Sequence, residues 1–257
     1  MGLRGSRSGW SCSTDPRLGE SRVGQVAAES IYRDHAEVYA RFSERSATNA
    51  WYDRPAILRL AGDVAGKRVL ELGCAGGVLT AQLADRGADV LAVDREPQLV
   101  ALARRRLGGR ARIEVADLEQ PLGFVPDGGI DVAVASLVLH YVEDWGPLLA
   151  GSHRCLVPGG GLVFSVHHPI TGWLLSGMAD YHRTELVRET WDWDGQQVAA
   201  AMYRRPLSAI FGELRLAGFV VDVVDEPRPQ QAADVAPELF EVLNSKPVFL
   251  FVRAFRA

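Results

Sequence analysis

The run Val69-Leu70-Glu71-Leu72-Gly73-Cys74-Ala75-Gly76-Gly77 is the densest chemical signal in this chain of 257 residues. Its apolar first half predicts a buried strand, and its glycines predict a turn that leads into a helix at Leu79-Thr80-Ala81. Glycines there allow positive φ and close approach of backbone to a ligand. The helix that follows presents unpaired N–H groups at its start. A second apolar run, Val90-Leu91-Ala92-Val93, ends in Asp94. In a βαβ unit an acid at the end of the second strand can accept hydrogen bonds from a ribose. The pattern predicts a nucleoside-containing cofactor at the carboxyl edge of a parallel sheet. It is not a dinucleotide fingerprint, because G-x-G-x-x-G/A started at Gly73 meets Ala75 and then Val78.

The elements that must position these residues alternate as βαβ units do. Strands are expected near 68–73, 89–93, 112–116, 130–135, 161–167, 219–225 and 247–254. Helices are expected near 78–86, 97–107, 144–156 and 207–217. Upstream, Ile31, His35, Val38 and Phe42 recur at helical spacing and predict a helix over 27–42. On it, Tyr32 and Tyr39 share a face. A short helix is expected near 54–61, with Pro55 in its first turn. Residues 1–25, rich in Ser, Gly and Arg, are expected to be a disordered tail before one domain over 26–257. Within it, 26–65 should form a helical cap. The segment 169–206 should be a long irregular lid carrying Trp173, Tyr181, Trp191, Trp193 and Tyr203.

Composition is that of a globular protein, at 47% hydrophobic and 23% charged. A net charge of −4 gives no support for binding a phosphate backbone. The Arg104-Arg105-Arg106 run spreads around its helix as a solvated face. Cys12, Cys74 and Cys155 have neither metal-site spacing nor the pattern of a disulfide framework, which points to a reducing cytoplasm. No apolar run is long enough to span a membrane.

Glu71, Gly73, Ala75 and Gly77 fit E-x-G-x-G-x-G with alanine at the middle glycine. This resembles motif I of the class I S-adenosylmethionine (SAM) dependent methyltransferases. The Ala75 departure adds one methyl group. The resemblance implies that the turn, with Glu71, Gly73, Cys74, Ala75 and Gly77, underlies the methionine part of SAM. Asp94, with Arg95 beside it, would hold the ribose hydroxyls. Ile113-Glu114-Val115-Ala116-Asp117-Leu118 resembles the third strand and its turn, which assigns adenine contacts to Asp117 and to the Leu118 N–H. Asp131-Val132-Ala133-Val134-Ala135-Ser136-Leu137-Val138-Leu139-His140-Tyr141 resembles motif IV, which places Ser136 and Leu137 beside the sulfonium. Leu156-Val157-Pro158-Gly159-Gly160-Gly161 resembles the turn before strand five. Tyr32 and Tyr39 complete the expected cofactor contacts. The likeness covers about residues 30–255. It implies an α/β, Rossmann-like, seven-stranded mostly parallel sheet with an antiparallel last strand and helices on both faces.

The activity implied is transfer of the SAM methyl group to an O, N or C nucleophile of a small molecule, with S-adenosylhomocysteine (SAH) as product. Segments 49–55, 136–145, 165–169 and 204–207 resemble bacterial small-molecule methyltransferases, often enzymes of secondary metabolism. A base is needed only where the nucleophile must lose a proton. An unperturbed imidazole titrates near pH ~6.5, so His168, His167 and His140 are the candidates. Consecutive strand residues face opposite ways, so one of His167 and His168 should point inward. Tyr141, Trp173, Tyr181 and Trp191 are expected to line the acceptor pocket. Glu143 and Asp144 lack further acids around them, so no metal is expected. The expected partner is a small-molecule acceptor, with no nucleic acid or membrane, and the chain a monomer or homodimer. Two other readings stand beside this one. The first is a SAM-binding protein of the same fold without methylating activity, a cyclase or regulatory module. The second is a nucleic-acid or protein methyltransferase, disfavoured by the apolar Ser136-Leu137-Val138-Leu139 where base-modifying enzymes carry an Asn/Asp-Pro-Pro-aromatic run.

Overall fold

The computed structural model describes residue 32 and residues 35–229 and 237–257. The expected tail at 1–25 and the first part of the expected 27–42 helix lie outside the described residues. Helix α1 (Ala36–Arg45) leads through a π-helical segment, Thr48–Asp53, into α2 (Arg54–Ala61). Then follow β1 (Arg68–Leu72), α3 (Val78–Asp85), β2 (Asp89–Asp94), α4 (Pro97–Leu107), β3 (Arg112–Val115) and β4 (Ile130–Ala135). A 3-10 turn, Leu139–Tyr141, precedes α5 (Trp145–Cys155) and β5 (Leu156–His167). The chain continues with α6 (Pro169–Leu175), β6 (Glu185–Trp193), β7 (Gln196–Arg204) and α7 (Leu207–Leu216). It ends with β8 (Phe219–Asp225), α8 (Pro237–Ser245) and β9 (Phe249–Arg256).

Seven strands form one sheet in the order β3-β2-β1-β4-β5-β9-β8. β9 runs antiparallel to both β5 and β8, and the remaining neighbours pair in parallel. Period-2 alternation along the strands feeds two apolar layers. Val69, Val90, Ala92, Val132, Val134 and Val163 face α2, α3, α4 and α8. Leu70, Leu72, Val93, Ala133, Ala135 and Phe164 face α5 and α7. Strand order reverses direction between β1 and β4, and in open α/β sheets ligands bind at the carboxyl ends of the strands at such a point.

Three features differ from expectation. The 169–206 segment is not irregular: it holds α6 and an antiparallel hairpin of two nine-residue strands, β6–β7, paired from Glu185↔Arg204 to Trp193↔Gln196. Cross-strand pairing satisfies its backbone groups, which a long bare loop cannot do. By sequence the last two strands, 219–225 and 247–254, fit a hairpin-like end; as β8 and β9 they do pair, but α8 lies between them in the chain, so they are not a tight hairpin. β5 also starts earlier than expected, because the glycine turn is absorbed as a register shift between the Ile130↔Leu156 and Val132↔Gly161 pairs.

α1 buries Ala36, Ala40 and Ser43 rather than the larger Val38 and Phe42. Small residues let it lie close over the glycine turn, where a Cβ on Gly76 would sit 3.2 Å from the Ala40 Cβ. Gly77 is tighter still. It caps α3 at φ 76°, and a Cβ there would sit 2.9 Å from the Ala103 Cβ and 3.0 Å from its Cα. Gly77→Ala is expected to cost about 2–4 kcal/mol, since left-handed strain and overpacking against backbone add. Denaturant unfolding measures it, and a loss under about 1 kcal/mol would mean that α4 yields to the new methyl group.

Candidate active site

The glycine turn leaves β1 at Gly73, with φ 78°, and a Cβ there would come within 2.4 Å of Val138 Cγ2. Gly73 and Cys74 donate their N–H groups to the Val93 carbonyl at 2.8 and 2.9 Å, which ties the turn to the end of β2. Asp94 strengthens the tie. Its Oδ2 accepts from the Ala75 N–H at 2.8 Å and its Oδ1 from the Glu96 N–H at 3.0 Å. Burial pushes the Asp94 pKa up, opposed by these two N–H groups. An ionised carboxylate has about four acceptor positions, so each oxygen keeps one for a hydroxyl. That donor requirement suits the vicinal diol of a ribose.

Other residues of the expected cofactor set have different surroundings. Glu71 is 1% exposed, and its Oε2 accepts from the Thr80 hydroxyl at 2.6 Å. It braces β1 against α3. Cys74 and Gly77 are likewise buried, the thiol pushed well up by burial. Gly73 and Ala75 are half-buried at the surface of the turn. Arg95 pairs with Glu96 at 3.6 Å. Asp117 Oδ1 accepts from the Glu119 N–H at 3.1 Å, shaping the turn after β3, and Leu118 is buried beside it.

Burial pushes the Glu71 carboxyl up to about 7 from 4.5, against the lowering effect of the Thr80 hydroxyl. The folded protein then binds more protons than the unfolded chain between pH 4.5 and about 7, so stability falls as pH rises through that window. Glu71→Gln keeps an acceptor for Thr80 and removes the titration. Relative to wild type the variant should gain about 2–3 kcal/mol on going from pH 5 to pH 8. Denaturant midpoints at the two pH values check this, and a pH-independent difference would place Glu71 in the ordinary carboxylate range.

At the mouth of β4 the chain turns at Leu137, with φ 48°, into Leu139–Tyr141. His140 and His167 meet there, with ring centroids 4.6 Å apart, and Trp191 of β6 stacks on His167 at 5.9 Å. Burial pulls His167 down to about 4 and His140 well below its ordinary value. Both are neutral near pH 7, and the buried His140 Nδ1 has no hydrogen-bond partner. His168 points elsewhere. Its Nδ1 accepts from the Ile170 N–H at 3.1 Å, capping α6, and its Nε2 lies 2.6 Å from Glu226 Oε1. With both ring nitrogens engaged it has no lone pair for a reacting group, which corrects its expected role as a base.

The hairpin forms the roof. Trp193, 2% exposed, stacks on Tyr32 at 5.6 Å and packs on Tyr39 at 4.8 Å and Phe42 at 6.2 Å. Tyr32 shares a 2.6 Å hydrogen bond with the Tyr141 hydroxyl. Arg45–Asp194 at 2.6 Å and Gln196–His35 at 2.8 Å fasten the hairpin tip to the N-terminal region. Trp173 and Tyr181, expected in the pocket, pack on each other at 6.0 Å instead. The Trp173 indole donates to the Ala179 carbonyl, and the Tyr181 hydroxyl accepts from the Leu207 N–H at 3.1 Å. These contacts tie α6 and the residues after it to the start of α7.

Beneath this cluster lies a group that local sequence does not announce. Asp53, fully buried, accepts hydrogen bonds from Ser136 at the end of β4 and Ser165 in β5. The Ser165 Oγ in turn accepts from the Leu137 N–H at 3.0 Å. Among the described residues no cluster of three His, Cys, Asp or Glu could hold a metal, and no helix is long and apolar enough to cross a membrane.

The model of a methyltransferase domain family matches residues 70–164, the stretch from β1 through most of β5. A SAM-dependent methyltransferase from Mesorhizobium loti superposes with a TM-score of 0.64 at 28% identity, covering 83% of this chain and 100% of that one. An uncharacterised protein of Haemophilus influenzae is 28% identical over 80% of this chain and 87% of its own length. The ubiquinone biosynthesis O-methyltransferase of Pseudomonas aeruginosa is 30% identical over 149 residues, 51% of this chain and 62% of that protein. With the 3-2-1-4-5 strand order, the glycine turn and the acid at the end of β2, these likenesses agree: residues 70–164 match a methyltransferase domain, and the chain is similar over most of its length to a SAM-dependent methyltransferase.

Proposed function

We propose that this methyltransferase acts on a nucleophile of a small molecule, O, N or C in principle and oxygen by preference. The observation that carries the reading is the Asp94 carboxylate bonded to the glycine turn, with acceptor positions left for a ribose diol. The proposed cofactor residues are Asp94 for the ribose, the surface of the turn at Gly73 and Ala75 for the methionine part, and Asp117 with the Leu118 N–H for adenine. Ser136 and Leu137 would flank the sulfonium, with Tyr32 and Tyr39 above. When bound, SAM supplies a methyl carbon already activated by the sulfonium. The protein's share is positioning and exclusion of water. The hairpin roof, with Trp191 and Trp193, would exclude water from the mouth of β4. Neutral His140 and His167 would orient the acceptor by hydrogen bonds.

The preference for oxygen is supported by the name of the Pseudomonas relative, an O-methyltransferase. The aromatic wall of Tyr141 and Trp191 favours a flat acceptor. Likeness to small-molecule tailoring enzymes favours a secondary metabolite. The test is incubation with SAM and a panel of phenols, hydroxybenzoates and amines, with SAH and product followed by mass spectrometry. A methylated phenol and an equivalent of SAH are expected. Methylation of amines alone would overturn the oxygen preference. Binding of SAM with no SAH formed on any acceptor would favour a binding module.

A further inference from the structure

The mouth of β4 holds a buried carboxylate that the cofactor reading leaves without a task. Asp53 stands at the end of the Thr48–Asp53 π-helical segment, and such segments inside helices recur at functional sites. It immediately precedes α2, yet its side chain does not cap that helix. It turns into the sheet, where Oδ1 accepts from Ser165 and Oδ2 from Ser136. Ser165 is oriented by the Leu137 N–H, which occupies its acceptor side at 3.0 Å, so its own proton is committed to Asp53. Ser136 is half-buried at the strand-order reversal between β1 and β4, and its Oγ keeps acceptor capacity toward the site.

We propose that Asp53 is the proton acceptor for a hydroxyl substrate, reached through the Ser136 hydroxyl, with Ser165 as a positioning residue. This rests on the oxygen-acceptor reading above. The acceptor O–H gives its proton to Ser136 Oγ while the Ser136 proton passes to Asp53 Oδ2. The acceptor oxygen, using its own electron pair, forms the new C–O bond as the methyl carbon's bond to the sulfonium breaks. The products are a methyl ether, neutral SAH and a protonated Asp53, so charge balances. No metal or further co-reactant is needed.

The surroundings of Asp53 suit that task better than those of the histidines. Burial raises its pKa to about 6 from 3.8, with the Ser136 and Ser165 hydrogen bonds and the Arg54 charge pulling the other way. Two nitrogens of the Arg54 guanidinium donate to the Ser43 and Glu44 carbonyls, at 2.8 and 2.7 Å. Tyr39 and Tyr52, the other titratable groups in its field, are pushed up to about 12 by burial and stay neutral. Asp53 is therefore ionised at pH 7, yet holds a proton more readily than an ordinary carboxylate. The imidazole of His167, pulled down to about 4, would release a proton at once.

The test uses the full chain with SAH bound and carboxyl-13C aspartate, the Asp53 signal being identified by its loss in Asp53→Asn. The signal should titrate near pH 6 and move upward in Ser136→Ala, which removes one lowering hydrogen bond. With a phenol as acceptor, kcat should fall on the acid side with the same midpoint. Asp53→Asn should lower kcat by about 100-fold or more and abolish that acid limb, with SAH affinity unchanged within about twofold. Asp53→Glu should restore part of the limb, which a purely structural role would not do. A signal titrating in the ordinary aspartate range, or an acid limb retained in Asp53→Asn, overturns the proposal. If SAH binds but the wild type methylates amines and no phenol, the oxygen reading fails and the relay with it. If wild type does not bind SAH, the cofactor site is at fault, a distinct failure that likewise removes the relay.

Discussion

Replacing Asp94 with alanine should weaken SAH binding by at least about 100-fold while leaving the fold intact. A hydrogen bond to a charged group contributes about 1.5–3 kcal/mol. Loss of the two ribose contacts proposed for Asp94 therefore amounts to about 3–6 kcal/mol, or roughly two to four decades in Kd. The substitution also strips the Ala75 and Glu96 N–H groups of their acceptor, which loosens the turn at the same time. Calorimetric titration with SAH reads the loss, and far-ultraviolet circular dichroism with the melting midpoint reads the fold. Asp94→Asn should fall between the two, because an amide keeps one acceptor oxygen and loses the charge. Binding of SAH by a folded Asp94→Ala within threefold of wild type would remove Asp94 from the cofactor site.

Trp193→Ala should be the most damaging change in the hairpin. Truncating a buried Trp costs about 3–5 kcal/mol through lost transfer energy and the cavity left behind. Here the ring fills the gap between β6 and the tyrosines of the N-terminal region, in contact with Tyr32, Tyr39, Phe42 and Trp191. The other ties between these elements are weak substitutes. Arg45–Asp194 is an exposed ion pair, its arginine side chain 69% accessible, and such pairs contribute about 0–1 kcal/mol. The loss should therefore appear as local opening of the roof before global unfolding. Limited proteolysis should cut within 185–204 at a rate at least tenfold above wild type, and hydrogen exchange of the hairpin amides should rise. Acceptor KM should rise, with the Kd for SAH changed less. A variant cleaved no faster than wild type would mean that the hairpin is held by its own pairing and not by this ring.

Much of the fold was legible because each strand of the main sheet repeats the same local pattern. The expected spans 130–135 and 219–225 are those of β4 and β8, and 97–107 is that of α4, which starts at Pro97 and ends before Gly108 in the left-handed conformation. Glycine, proline and apolar runs act within a few residues, so they are read locally. The hairpin was not legible in this way. Its strand Gln196–Arg204 is mostly alanine, glutamine and polar residues, with weak strand preference, and it is stabilised by pairing with β6 and by packing against the Leu139–Tyr141 turn and α6. The histidines show the same divide. Three lay near the mouth of the sheet in sequence, but only the tertiary contacts turn His168 to Glu226 and bring His140 against His167.

The sequence by itself determined the sheet order's local ingredients, the glycine turn and the acid at the end of β2, because strand, turn and helix there are contiguous and their geometry follows from residue type. Tertiary structure alone decided what surrounds each polar group. Asp53 and Ser165 stand 112 positions apart in the chain, yet share a hydrogen bond. Burial and partners set the charge of Asp53, Glu71 and His167, and these arise only when distant segments close on one another. A carboxylate's pKa depends on the dielectric and the dipoles around it, and no local pattern of residues encodes either.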